Sequence, residues 1–537
     1  MDTKALRQKI LDLAIRGKLV PQDPNDEPAS VLLERIRAQK QQMVREGKLK
    51  SKDIKDDTVI FVGEDNLHYE KFADGSVKCI EDEIPFDLPE SWAWCRIKNI
   101  CTIGTGATPL KSNSAYYANG TIPWITSAAT SQEIITTPAD YITERAIAET
   151  NCSIYPIGTL IIAMYGEGKT RGQISELGIE ACTNQACAAL QILADDVRLS
   201  QYVKSYFQYG YENLRQKAKG GQQPNLNQTI IAETLIAIPP YQETKRIMDS
   251  VYQCIDQINT IEESLESICT SIENAKKRIL DLAIHGQLVP QNPADEPATV
   301  LLDRIRAEKE ELIRQGKIKR DKKESVIFRG DDNSYYEKVG DQRVCIDDDL
   351  PYSLPEGWVW CELQDCCIKK IKRGRSPKYA DNGHVLSFAQ KCNQKTGGIN
   401  MGLALLIDDS TACRYEDDEY LQDGDIVINS TGTGTLGRVG IYRATDNLAG
   451  TPVVPDSHVT VVRVSSLLDP LYFFYCLKSM QSRLETLGEG STNQKELKPL
   501  TVQQLRIPIP PIAEQNEIVK QIVALFGHLD AIATDLT

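Results

Sequence analysis

The chain has 537 residues, 41% of them hydrophobic and 25% charged, with a formal net charge of −14. That length allows about three to four domains, and no apolar run nears the roughly 20 residues of a membrane span, which excludes a membrane protein built on helices. The polar, periodic start "MDTKALRQKI" is not expected to direct secretion, and fifteen scattered cysteines with no C-x-x-C, beside five histidines, read as reduced buried thiols in a cytoplasm without a zinc framework.

The acid excess is unevenly placed. Trp92 to Pro240 carries 11 basic and 11 acidic side chains, and Trp358 to Pro511 carries 17 of each. Net negative charge therefore argues against a nucleic-acid partner only for the rest of the chain.

Leu6, Ile10 and Leu13 predict a helix at the start. The text "KILDLAIRGKLVPQDPNDEPASVLLERIRAQK" (Lys9 to Lys40) breaks between Pro21 and Pro28, then resumes as a second helix with Leu32, Leu33 and Ile36 toward one side. "GKLKSKDIKDDTV" reads as an exposed linker. After "VKCIEDEIPFDLPESWAWC" (Val77 to Cys95) come β-branched runs separated by Gly, Pro and Asn, with helical pieces, so a mixed α/β domain of about 150 residues is expected. It ends in a polar loop, "GGQQPNLN" at Gly220, and the double proline Pro239-Pro240. From Ile247 to Leu282 apolar residues step 4-3-4-3, a heptad seam of 36 residues, on the order of 54 Å long.

The whole order then repeats. "RILDLAIHGQLVPQNPADEPATVLLDRIRAEK" (Arg278 to Lys309) lies 269 residues after its first copy, and "RVCIDDDLPYSLPEGWVWC" (Arg343 to Cys361) follows it. "GDIVINSTGTGTLGRVGI" (Gly424 to Ile441) takes the place of "GTLIIAMYGEGKTRGQI" (Gly158 to Ile174). A second mixed domain closes through "GSTNQKEL" at Gly490, Pro510-Pro511 and a heptad helix from Ile518 to Leu536. Setting Pro510 over Pro239 places Thr537 on Glu266, while the first repeat places Met1 on Thr270. The chain ends are thus predicted to meet at one point of the central helix.

The predicted fold is α+β: two mixed α/β domains separated by an antiparallel two-helix coiled coil, in a pseudo-two-fold circular repeat. Pairing the continuous helix with the split one is expected to bury both seams. The expected segments are 1–60 (helical), 61–240 (first domain), 241–325 (central helical spacer), 326–511 (second domain) and 512–537 (a helix pairing with the spacer).

Three patterns suggest enzymes and fail on context. "AMYGEGKT" is one residue short of a phosphate-binding loop, and no amphipathic helix follows it. "GTGTLG" at Gly432 precedes a strand rather than a helix. "IPPY" at Ile238 has no Asn or Asp to hold an amino group. Cys361, Cys366 and Cys367 cluster without a second ligand pair, which favours core packing.

Binding chemistry is present. "KKIKRGRSPK" holds Lys369, Lys370, Lys372, Arg373, Arg375 and Lys378, a set suited to phosphates or equally to a solvated charge run; its first-half counterpart keeps only Lys111. Loops with Lys169, Thr170 and Arg171, with Gln222, Gln223, Asn225 and Asn227, with Arg438, and with Thr492, Asn493, Gln494 and Lys495 carry side chains of the kinds that read base edges.

The duplicated "LDLAI.G.LVPQ.P.DEPA..LL.RIRA.K" and "LPE.W.WC" segments, flanking two domains of unlike sequence that each close with a double proline and a heptad helix, resemble the DNA specificity subunit of type I restriction-modification systems over nearly the whole chain. The resemblance implies that each domain is a target recognition domain reading half of a bipartite, asymmetric double-stranded DNA site, with the helices as spacer. It implies no catalysis and no cofactor bound by this chain. Two modification subunits would use S-adenosylmethionine to methylate adenine N6, and two restriction subunits, where these exist, would use ATP and Mg²⁺. Partner subunits could also supply phosphate-neutralising charge. Leu32, Leu33, Leu301 and Leu302 are expected either to dock the modification subunits or to pack in the core, and the sequence does not decide between them. Two further readings stay open: a stand-alone adenine methyltransferase or NTPase, and a coiled-coil scaffold without DNA.

Overall fold

The computed structural model describes residues 2–51, 54–166, 168–193, 197–218, 225–318, 320, 325–395, 397–432, 434–490 and 495–536. Contacts divide the chain into two compact units, Met1–Ser264 and Leu265–Thr537, and the division falls inside one continuous helix, Tyr241–Ile284.

In the first unit the helix Thr3–Ile15 runs antiparallel to the opening part of this central helix. Arg7 reaches Asn259 at 2.6 Å and Glu262 at 2.9 Å, while farther along Gln22 reaches Glu243 at 2.6 Å and Asp26 reaches Arg246 at 2.5 Å. The second unit repeats the arrangement with the C-terminal helix Ile512–Leu536: Glu514 accepts from Gln291 at 3.0 Å, and Asp530 meets Lys276 at 2.6 Å. Each terminal helix thus pairs with its own stretch of the central helix, in the direction that the circular repeat requires.

The seam is not buried along its whole length. Ile247, Val251 and Ile258 are buried in the first unit, and Ile272 in the second, but Ile261 is 38% and Ile268 39% exposed. The expectation of two fully buried seams is corrected here. Ile261 stays exposed although Arg7 of the N-terminal helix reaches Glu262 beside it; near the end of the C-terminal helix Ile532 is also exposed.

The near-identical segments have a packing reason. Gly17 and Gly286 both adopt φ +65, and a Cβ there would stand 2.6 Å from Pro89 Cγ and 2.5 Å from Pro355 Cγ, against Trp92 and Trp358. Only glycine fits both the left-handed turn and the approach of the "LPE.W" segment. That segment enters each domain as Ala93–Arg96 or Val359–Glu362, which pairs antiparallel with the exit strand Leu235–Ile238 or Arg506–Ile509. The double prolines end the exit strands and start the helices, so "IPPY" is a strand-to-helix junction.

The two variable domains, unlike in sequence, share one strand order. The first has Cys101–Thr105, Cys187–Ile192, Leu160–Ala163 and Ile174–Leu177 side by side, extended by Ile134–Ile135. The second has Lys372–Arg373, Val459–Val462, Ile426–Asn429 and Val439–Ile441 in the matching places. A second sheet follows the same rule: Asp140–Ile142, Ile122–Ile125 and Ala181–Thr183 match Leu405–Ile407, Val385–Phe388 and Val453–Pro455, with the last two strands of each set parallel. Cys361, Cys366 and Cys367 lie buried in the core of the second unit and serve packing.

Candidate nucleic-acid interface

In both domains the described parts of the loops singled out from sequence lie at the ends of the sheet strands. In the first, strand Leu160–Ala163 runs into the loop with Lys169, Thr170 and Arg171. Arg215 clamps that loop by donating to Arg171 O at 2.9 Å and Gly168 O at 2.8 Å, and Tyr211 donates to Lys169 O. Leu226 N donates to Met164 O at 3.1 Å, which brings Asn225 and Asn227 alongside. Asn227 is already engaged, since its side chain caps the helix Gln228–Ala232. Lys111 lies in the loop after Gly106, where a Cβ would stand 1.6 Å from Thr183 O; nearby, Thr108 donates to Gln185 at 2.7 Å. Lys111 and Lys169 are exposed and make no ion pair among the described residues.

In the second domain Gly374 repeats the close approach, 1.8 Å from Pro455 O for an added Cβ. It carries the basic segment to Asp456–His458, with Ser376 facing Ser457. The loop 430–438 joins the same edge: Thr431 meets His458 at 2.7 Å, and Leu497 N donates to Ser430 O at 2.9 Å, drawing in Lys495. Arg438 is tied inward, to Asn393 O at 2.7 Å and Gly434 O at 3.1 Å. Gln222, Gln223, Thr492, Asn493 and Gln494 lie outside the described residues.

The basic segment proves to be matched by carboxylates from distant loops. Lys369 pairs with Asp418, Lys372 and Arg375 share Glu419, Arg373 meets Glu496 at 2.5 Å, and Lys378 meets Asp408 at 3.3 Å; Lys370 also has a partner. Burial pushes the Glu419 carboxyl up, but hydrogen bonds from Lys372, the Glu416 backbone and Arg375 outweigh it and hold the group at about 2. Burial also lowers the Lys369 ammonium. This is an internally braced segment rather than the free run of six cations that the sequence suggests.

The leucines resolve toward packing. Leu32, Leu301 and Leu302 are buried in the cores of their own units, and Leu33 is half-buried. Burial of the first three favours the packing alternative for them, while half-buried Leu33 is compatible with either. The sequence reading did not single out Gln390 and His458, which the fold brings to this edge beside Gly432 and Thr431. Among the described residues no cluster of His, Cys, Asp and Glu could hold a metal, and no helix is long and apolar enough to cross a membrane.

The family model of the type I restriction modification DNA specificity domain matches twice, at residues 89–268 and 355–536. The chain is 25% identical over 612 aligned positions to the type I restriction enzyme EcoEI specificity subunit of Escherichia coli, covering 99% of this chain and 90% of that protein. It is 27% identical to the EcoAI specificity subunit of the same species, over 67% of this chain and 62% of that one. A solved structure from work on complex assembly and conformational transition of the type I R-M system shares the fold, with a TM-score of 0.50 at 16% identity over 84% of this chain and 96% of that one. With two matched domains spanning well over half its length, each built on the same sheet order, the chain belongs to the type I restriction-modification DNA specificity family.

Proposed function

We propose that each mixed domain reads one half of a bipartite DNA sequence, and that the chain holds two modification subunits at that site for adenine N6 methylation. The observation that carries this reading is the pair of matching sheets with unlike side chains on their common loop edge: one scaffold used twice, reading two different half-sites. A specificity subunit directs chemistry done elsewhere, so S-adenosylmethionine belongs to the modification subunits, and ATP with Mg²⁺ to two restriction subunits where present. The assembly works in the cytoplasm. The duplicated N-terminal and central helices, Ala29–Arg45 and Ala298–Arg314, offer their outer faces as equivalent positions for two copies of one partner.

The test is co-expression with the modification subunit in a host lacking other adenine methylation, with methylome sequencing as the readout. One motif with two unlike halves around an unread gap is the expected result. Methylation with no sequence preference, or a motif with a single half, would sink the reading. Methylation by the chain alone would instead favour a stand-alone methyltransferase.

A further inference from the structure

Resting on that DNA-reading function, we propose that the second domain recognises an adenine through Gln390, with Lys391 and Lys395 as its phosphate contacts. These residues come after strand Val385–Phe388, and Gln390 and Lys391 lie in the turn Gln390–Cys392.

The turn is rigidly supported from below. Asn393, 1% exposed, donates to Arg438 O at 3.1 Å and to Asn429 Oδ1 at 3.3 Å; Asn429, fully buried, donates to Gln390 O at 3.1 Å; and Arg438 donates to Asn393 O at 2.7 Å. A reading group needs such support to keep its geometry. The Gln390 side chain lies across Gly432, where φ is +99 and an added Cβ would be 2.7 Å from Oε1 and 3.2 Å from Nε2. Thr435 Oγ1 lies 3.3 Å from Oε1 and shares its one proton between that oxygen and Thr431 O, at 3.0 Å. Oε1 keeps a second lone pair, and Nε2 donates to no group among the described residues. An acceptor beside a free donor is the complement of adenine N6 and N7 in the major groove.

Charge points to the same turn. The cations of the neighbouring basic segment are committed to partners, whereas Lys391 and Lys395 are exposed and make no ion pair among the described residues. In the first domain the corresponding turn, Ser127–Ser131, has no lysine or glutamine, and its Thr130 hydroxyl is turned inward to Ser127 O at 2.7 Å. The two domains therefore differ at the very turn assigned to recognition.

The experiment is competition binding by the assembled complex of this chain with its modification subunits, using duplexes in which each base pair of the target is changed in turn. For Q390A, whose melting temperature and co-purification are checked first, discrimination at one A·T pair of one half-site should fall by roughly 5- to 150-fold, with every other position unchanged. For K391A/K395A, affinity should fall equally for all duplexes, and the slope of log affinity against log salt should shrink by about two. Unaltered discrimination by Q390A, or a common loss across all duplexes, would overturn the assignment of Gln390. An unaltered salt slope in the double variant would overturn that of the lysines. A wild-type complex that discriminates no duplex would remove the DNA-reading function itself, an outcome distinct from either.

Discussion

Trp358 donates its indole N–H to Glu514 at 2.8 Å, joining the entry segment of the second domain to the first turn of the C-terminal helix. Gln291, from the repeated "LVPQ" text, donates to the same carboxylate. The first unit builds the same knot from Trp92, Glu243 and Gln22. Burial pushes both carboxyls up, and the two donors in each unit lower them. W358F, which keeps an aromatic ring but strands a buried carboxylate oxygen, should cost about 1–3 kcal/mol. A melting temperature equal to that of wild type would show that the knot does not bind helix to domain.

The repeated glycines allow a paired test. G17A and G286A each force a Cβ into a left-handed turn and against a proline ring. Each should cost about 1–3 kcal/mol, read as a lowered denaturation midpoint. If either variant matched wild type, the turn could be re-formed without the close approach, and packing would no longer account for the repeat.

One charged position has been exchanged between the units. Arg96 on the first entry strand pairs with Glu70 at 2.7 Å and Glu83 at 2.8 Å, facing Leu235 on the exit strand. In the second unit the arginine sits on the exit strand as Arg506, pairing with Glu337 at 3.2 Å and Asp349 at 3.7 Å, and the entry strand carries Glu362 opposite. Burial, then Asp365 and Glu337, push Glu362 up to about 7, with Arg506 opposing. A folded-state value above the unfolded one gives stability that is fully present below about pH 4.5 and lost as pH rises through 7. E362Q should therefore melt higher than wild type at pH 8 and lose that advantage by pH 5. An advantage that did not shrink on acidification would dismiss titration of Glu362 as its cause.

The repeat, its circular order and the glycines at 17 and 286 were legible because near-identical text marks them. Less could be read of the interface. Lys372 and Arg375 look free along the chain, since Glu419 comes to them only through the fold. Gln390 reaches Gly432 only because strands Val385–Phe388 and Ile426–Asn429 bring their C-terminal ends to one edge. Leu32 and Leu301 satisfy an apolar pattern that a core and a docking face share, and burial alone separates the two.

The central helix is continuous through Ser264, and the seam beside that residue is open, with Ile261 and Ile268 exposed. Residues inserted there displace no closed apolar contact, so the helix can lengthen without unfolding either unit. Four added residues extend it by about 6 Å and rotate its C-terminal portion by about 40° beyond one full turn. On the two-domain reading, about 6 Å corresponds to one or two base pairs of B-form DNA, at 3.4 Å per base pair along each strand. Methylome sequencing of the insertion variant with its modification partner should find both half-site sequences preserved and the unread gap longer. An unaltered gap would mean that this helix does not set the distance between the half-sites.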